Sequence, residues 1–130
     1  MRNVLLFLDD KLLNDESLET IRVSVNQDDK LTVFYELPYA NNTAVPLIGD
    51  LAEIRLQKAT RLVLNWVEPI TDSVHSYETN ISFNINKEEI QKKLEDTRPT
   101  LFMGSKSLVD RLSKLFATNG YAKHIKTYYL

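Results

Sequence analysis

Two short stretches of the sequence carry residue types that could do chemistry where a strand passes into a helix. FLDDKLLNDES, residues 7–17, holds four acidic residues at the end of an apolar run. The stretch around Gly104 combines that glycine with two serines and a lysine. Strand-to-helix turns are common phosphate sites because glycines and the first amides of a helix can approach an anion closely. The two turns are therefore the first places to look for a ligand site.

The acidic stretch lacks the features of a phosphate site. It contains no glycine, and its carboxylates would repel a pyrophosphate. Lys11 supplies one flexible ammonium, which does not replace a row of fixed backbone amides. We predict an acidic surface loop and helix start. The alternative is a magnesium ion bound by the adjacent carboxylates of Asp9 and Asp10.

The second turn is the better candidate for binding an anion. Gly104 offers an unobstructed backbone, Ser105 and Ser107 offer hydroxyls, and Lys106 offers a positive charge at a predicted helix start. The alternative is ordinary capping of that helix by Ser105 or Ser107. From the residues alone, both the anion contact and ordinary capping remain open at this turn.

Catalytic motifs are absent from the sequence. With no cysteine, thiolate metal sites and a cysteine nucleophile are excluded. His75 and His124 are the only histidines, and neither stands in a motif that pairs it with a serine and an orienting acid. We therefore predict no catalytic residue and no metal site.

Composition narrows the class of protein further. The 130 residues fit one domain, which we place at 1–130, and the net charge of −2 gives no argument for nucleic-acid binding. The N-terminal apolar run, residues 4–8, is too short to span a membrane or to serve as a signal sequence. We expect a cytoplasmic protein without membrane insertion.

Apolar runs alternate with helical patterns along the chain, which is typical of a parallel sheet covered on both faces. The sequence thus predicts an α/β fold: a three-layer open parallel sheet of about five strands with helices on both faces. The predicted strands are residues 4–8, 31–37, 61–67, 100–103 and 124–129.

The first predicted helix follows Asn14, with Leu18, Ile21 and Val25 at helical spacing. The alternative is a hairpin over residues 18–37, because residues 21–25 also alternate. For residues 70–85, an ordered loop and a short edge strand remain equally consistent, the strand being suggested by the alternation of Ile81, Phe83 and Ile85 with polar residues. The other helices are predicted to follow Pro46, to begin at Asn86, and to end at Asn119-Gly120.

Three stretches resemble a known family. They are KLTVFYELPYANNTAVPLIGDLAEI (residues 30–54), ISFNINKEEIQKKLED (81–96) and LFMGSKSLVDRLSKLFATNGYAKHIKTYYL (101–130). In their order and in the last stretch above all, they resemble the NAD(P)H-binding domain of the ferredoxin-NADP reductase superfamily, which includes flavin reductases and siderophore-interacting proteins. The resemblance implies the strand order 3-2-1-4-5.

The resemblance also implies a degenerate site. The family's glycine-rich loop is matched by residues 10–16, which have no glycine, and its cysteine by Met103, whereas Gly104 is retained. It implies an NAD(P)H contact at Gly104, Ser105, Lys106 and Ser107. Glu36 would repel a 2′-phosphate and so favour NADH over NADPH.

By the same resemblance, Tyr128 and Tyr129 would lie near the flavin of a partner domain. FAD would have to come from that flavin-binding domain, which lies outside these 130 residues. The implied function is a degenerate or partner-dependent nucleotide lobe of a reductase, inactive as an isolated chain.

A rival resemblance points to a noncatalytic interaction or signalling module. VLLFLDD is similar to the acidic strand end of bacterial receiver domains, LVLNWVEP to their phosphoacceptor strand, and Lys126 to their phosphate-contacting lysine. Asn65 stands in the acceptor position, and its neutral amide cannot attack a phosphoryl donor. This alternative implies the strand order 2-1-3-4-5.

Overall fold

The computed structural model describes residues 2–37, 50–83, 87–115 and 125–130. In these residues a five-stranded parallel sheet has the order β3-β2-β1-β4-β5, which confirms the predicted α/β class and strand order. The strands are β1 (Asn3–Leu8), β2 (Lys30–Glu36), β3 (Ser76–Ser82), β4 (Leu101–Gly104) and β5 (Lys126–Tyr129). The helices are α1 (Asp15–Ser24), α2 (Asp50–Thr71), α3 (Lys87–Thr97) and α4 (Lys106–Leu115).

Helices cover both faces of the sheet and divide the core in two. One core lies under α1 and α2 and takes alternate β1 side chains such as Leu6, with Ile21 and Val63 from the helices. The other lies under α3 and α4 and takes Leu5 and Phe7. Because β1 is central and parallel, both of its faces are buried, which explains its unbroken apolar run.

The predicted strand at residues 61–67 is wrong, because those residues lie within α2. Ala59, Val63, Val67 and Ile70 are buried at steps of three and four residues, whereas Leu62 between them is 54% exposed. That is the helical period, and Val63 and Val67 of the predicted strand belong to this one buried stripe of α2.

Trp66 fixes α2 against α1. Its indole N–H donates a hydrogen bond of 3.1 Å to the carbonyl oxygen of Asn14, and its ring packs against the core under the two helices. Trp66 therefore packs against the core from a helix.

The third strand is β3, so residues 70–85 contain an edge strand rather than only a loop. The strand begins at Ser76, five residues before the alternating stretch 81–85 that suggested one, and residues 84 and 85 lie outside the described residues. Tyr77, Thr79 and Ile81 are opposite β2 residues that face the α2 side, and Glu78 and Asn80 point to the other side. An edge strand with this much polar sequence lacks the long apolar run by which the inner strands are recognised.

The helix predicted after Asn14 is α1, and the hairpin alternative is wrong. The Ser17 N–H donates to the Asn14 side chain at 2.8 Å, and Ile21 is fully buried. The predicted helix boundaries at Pro46, Asn86 and Asn119-Gly120 lie outside the described residues, as does His124. In the described parts of the chain, no helix is long and apolar enough to cross a membrane.

An ion pair ties together the amino ends of β1 and β2. The Arg2 guanidinium donates to both carboxylate oxygens of Asp29, at 3.0 and 2.6 Å, and to the carbonyl oxygen of Ser24 at 3.0 Å. The Asn26 N–H also donates to the Asp29 carboxylate, whose side chain is only 1% exposed. Burial by itself would raise the pKa of Asp29, but these hydrogen bonds outweigh it and hold that pKa below its usual range.

We predict that Arg2→Met lowers the free energy of unfolding by about 2–4 kcal/mol, because it leaves the Asp29 carboxylate buried without its cation. Urea denaturation at pH 7 measures this. Arg22→Met is the matched control, since Arg22 forms an exposed pair with Glu19 at 3.4 Å and should change stability by about 0.5 kcal/mol or less. Equal losses in the two variants would contradict the role assigned to the Arg2–Asp29 pair.

The Asp29 pair also predicts a pH dependence. The unfolded carboxyl titrates near a pKa of about 3.9, and the folded pKa is lower, so the native state binds fewer protons in this range. The stabilisation is therefore present above about pH 4 and is lost as the pH falls through the folded pKa. Urea unfolding of the wild type and Asp29→Asn between neutral and acidic pH should give a difference that shrinks below pH 4. A constant difference would contradict the assignment.

Candidate functional site

The candidate site lies at the carboxyl edge of the sheet, between β1 and β4. In the sheet, β2 and then β3 lie on one side of β1, and β4 and then β5 lie on its other side. The crossovers after β1 and β4 therefore leave the sheet on opposite faces, and ligands of open α/β sheets bind in the crevice that this reversal creates. Both turns singled out in the sequence open at this point.

The turn after β1 uses its own side chains to satisfy its backbone amides. Asp9 accepts a hydrogen bond of 3.0 Å from the Lys11 N–H, and Asn14 accepts one of 2.8 Å from the Ser17 N–H. In a dinucleotide site, amides at this turn would bind the pyrophosphate. Here the Asp9 carboxylate and the Asn14 side-chain oxygen accept hydrogen bonds from amides of this turn, where a dinucleotide site would have its pyrophosphate.

The same turn is electrostatically negative. Burial raises the pKa of the Tyr35 hydroxyl, and the nearby charges of Asp10 and Asp9 raise it further. Among the described residues, no group of three or more potential metal-ligating acidic or histidine side chains is close enough to hold an ion. Asp9 and Asp10, the pair considered for magnesium, belong to no such group.

The turn after β4 contains the four residues predicted to contact an anion. Ser105 lies before α4, and its hydroxyl accepts a bond of 3.3 Å from the Leu108 N–H, so it acts as a helix cap. Lys106 and Ser107 are exposed in the first turn of α4. The Lys106 ammonium lies 5.9 Å from the centre of the Tyr129 ring, within the range of a cation–π contact.

Gly104 is needed for packing, whatever binds beside it. It pairs with Phe7 of β1, and a Cβ atom at this position would lie 2.3 Å from the Phe7 carbonyl oxygen and 2.9 Å from the Phe7 Cβ. No side chain fits in that space, because the obstructing atom is backbone. The glycine that suggested an anion site therefore has a structural reason to be present.

Glu36 ends β2 on the α4 side of the sheet. Its carboxylate accepts a hydrogen bond of 2.6 Å from the Arg111 guanidinium of α4. The negative charge that was expected to repel a 2′-phosphate therefore has a cation against it. Arg111 was missed in the sequence, although it follows Ser107 by four residues and so lies on the same side of α4.

The two tyrosines of β5 face opposite sides of the sheet. The Tyr129 hydroxyl donates a bond of 2.6 Å to Asp110 of α4, which raises the pKa of that hydroxyl. Tyr128 pairs with Met103, whose side chain lies in the core under α1. The two tyrosines, predicted as one cofactor contact, thus turn their side chains to opposite sides of the sheet, although both residues line one groove.

A groove of about 330 Å³ lies on the α1 side of the candidate site. Glu16 and Thr20, with Leu12 just before the helix, form its α1 wall, and Tyr128, Tyr129 and Leu130 also line it. It combines apolar, hydroxyl and acidic groups. Sequence reasoning missed the α1 wall, because only the tertiary structure brings the first turns of α1 opposite β5.

No protein-family model and no curated protein matches this sequence. Among solved structures, the chain is similar to the crystal structure of the hypothetical protein PH0823, with a TM-score of 0.65 and 16% sequence identity. The match covers 100% of this chain and 98% of that one. The similarity supports the α/β open-sheet fold and, at this identity, carries no function.

We predict that Gly104→Ala lowers the free energy of unfolding by about 1–3 kcal/mol or more, because the added methyl group collides with the Phe7 backbone. Thermal or urea unfolding measures the loss. Ser107→Ala, at the exposed start of α4, is the neighbouring control and should change stability by about 0.5 kcal/mol or less. A fully stable Gly104→Ala protein would show that β1 and β4 are not packed as described.

Proposed function

We propose that the chain is a noncatalytic nucleotide-binding module: a degenerate NAD(P)H-binding lobe whose ligand contacts the turn between β4 and α4. The observation that carries this proposal is the position of the α4 amino terminus at the reversal of the strand order. Nucleotide phosphates bind such helix starts because the amides and the helix dipole favour negative charge.

Three features of the β4–α4 turn support a phosphate contact. Helix α4 is ten residues long, so its dipole is developed. Lys106 and Ser107 are exposed at its start and offer a positive charge and a hydroxyl. Ser105 already caps the Leu108 amide, which leaves the first turn of the helix preformed before any ligand arrives.

The turn after β1 argues for weak binding. A dinucleotide normally places its pyrophosphate on the amides of that turn, and here Asp9 and Asn14 cap them. One phosphate-binding turn in place of two implies a dissociation constant on the order of 0.1–1 mM. Selectivity for NADH over NADPH should also be small, because Arg111 offsets the charge of Glu36.

The proposal assigns no chemistry to the chain by itself. Hydride transfer would require a flavin supplied by a partner domain, with Tyr128 or Tyr129 towards the flavin as the reductase resemblance implies. Tyr129 would contact the flavin while its hydroxyl stays hydrogen-bonded to Asp110. The isolated chain is therefore expected to bind a nucleotide without turning it over.

A second candidate function is a noncatalytic protein-interaction module. The observation in its favour is that Glu36 and Tyr129, predicted as ligand contacts, both make hydrogen bonds within the protein. The receiver version of this candidate does not fit the fold. Its strand order is 2-1-3-4-5, and the LVLNWVEP segment it needs as a strand lies in α2.

Titration of the ¹⁵N-labelled protein with NADH, NADPH, ADP and inorganic phosphate tests the proposed site. We expect the amide resonances of residues 105–108 to shift at high-micromolar to low-millimolar ligand. Lys106→Ala should weaken binding about three- to tenfold by removing a charge-assisted contact. Lys11→Ala is the matched control, because it removes an exposed lysine from the capped turn after β1 and should leave the affinity unchanged.

The outcomes separate the two candidates. Shifts at residues 105–108 that Lys106→Ala weakens would support nucleotide binding. Shifts centred on residues 9–14 would place the ligand at the turn we consider closed and overturn the proposed site. Silence of every amide at low-millimolar ligand would leave the interaction module as the remaining candidate.

A further inference from the structure

We propose that the outer edge of β5 pairs in antiparallel fashion with β5 of a second copy of this chain, about a two-fold axis at Tyr128. The inference rests on the hydrogen-bond direction of β5 and is independent of nucleotide binding. All four residues of β5 are exposed. In the described part of the chain, no strand pairs with its outer side.

The inner side of β5 determines which backbone groups face outwards. The N–H groups of Lys126 and Leu130 donate to the carbonyl oxygens of Thr100 and Gly104, at 3.0 and 2.9 Å. In a parallel strand, backbone groups alternate between the two neighbouring positions along the chain. The N–H and C=O groups of Thr127 and Tyr129 therefore point away from β4.

This outer edge is complementary to itself. If Tyr128 lies on a two-fold axis, Thr127 faces Tyr129 of the second copy, and Tyr129 faces Thr127 of the second copy. Each facing pair exchanges two backbone hydrogen bonds, so that four new bonds form. A two-fold contact of this kind is closed, since both copies use the same surface and no edge of β5 remains.

The side chains of β5 fit this arrangement. Tyr128 and Tyr129 are both 47% exposed, so both side chains are accessible at the open edge. On the axis, the two Tyr128 side chains become direct neighbours on the α1 side of the joined sheet, and aromatic neighbours of this type are favourable.

Charge does not prevent pairing with a second copy of β5. Lys126 is the only charged residue of the strand. In the two-fold register it faces Leu130 of the second copy, so the two lysines lie about 13 Å apart along the strands. That separation exceeds the screening length of about 8 Å at physiological ionic strength, so the like charges oppose pairing little.

The opposite edge of the sheet differs and supplies a control. β3 carries Glu78, which forms an ion pair with Lys93 of α3 at 2.5 Å. Tyr77 of β3 is 46% exposed, which matches the exposure of Tyr128. The same substitution at Tyr77 therefore changes surface charge and aromatic exposure at an edge without touching the proposed interface.

Sedimentation velocity over a range of protein concentrations tests the proposal. We expect the wild type to dimerise reversibly, and Tyr128→Lys to weaken dimerisation about tenfold or more, because it places two like charges opposite each other. Tyr128→Glu should do the same, and a 1:1 mixture of the two variants should recover a heterodimer. Tyr77→Lys should dimerise as the wild type does.

Hydrogen exchange identifies the surface that is used. In the dimer the amides of Thr127 and Tyr129 should become protected, whereas in the Tyr128→Lys monomer only the inward amides of β5 stay protected. Spectra of unchanged dispersion would show that each variant folds. A wild type that remains monomeric up to about 1 mM, or a dimer insensitive to Tyr128→Lys, would overturn the proposal.

Discussion

The complete burial of the central strand is the constraint on which the rest of the structure depends. Residues 4–8 of β1 have no exposed surface, and their side chains enter the two cores alternately. Burying each such side chain contributes about 1.5–3 kcal/mol, but only if helices cover both faces of the sheet. The chain achieves this by sending α1 and α2 to one face and α3 and α4 to the other. The reversal of strand order beside β1 follows from that division, and so does the crevice at the carboxyl edge.

The polar contacts at the carboxyl edge of the sheet stabilise the fold, whether or not a ligand binds there. Arg111 of α4 reaches Glu36 of β2, and Asp110 of the same helix reaches Tyr129 of β5, so α4 is held to strands on both sides of β4. The caps formed by Asp9 and Asn14 hold the turn after β1 in the same way. The consequence is a preformed crevice in which several candidate ligand groups already have partners. What remains for an anion is the exposed first turn of α4, which is why the proposed nucleotide contact is small and weak.

The two proposals concern different surfaces that meet at β5. The nucleotide would contact the start of α4 on one side of the sheet, whereas pairing of β5 uses backbone groups in the plane of the sheet. Tyr128 lines the groove on the α1 side and would also lie on the proposed two-fold axis. Pairing of two copies would therefore bring their two grooves to neighbouring positions on one face of a continuous sheet. Ligand binding and self-association can be measured separately, since Lys106 and Tyr128 affect different steps.

The sequence by itself determined the fold class, four of the five strands and the cap at Asn14, because these depend on local periodicity and on short-range hydrogen bonds. It also pointed to the edge at which Gly104, Glu36 and Tyr129 meet, since parallel strands end at the same side of a sheet. Only the tertiary structure decided that residues 61–67 are helical, because a short apolar run fits either period until its exposed members, such as Leu62, are known. It alone also showed that Glu36 pairs with Arg111 and that Gly104 is required by Phe7. Those contacts join residues far apart in the chain, and no local pattern specifies which distant side chain will fill a given space.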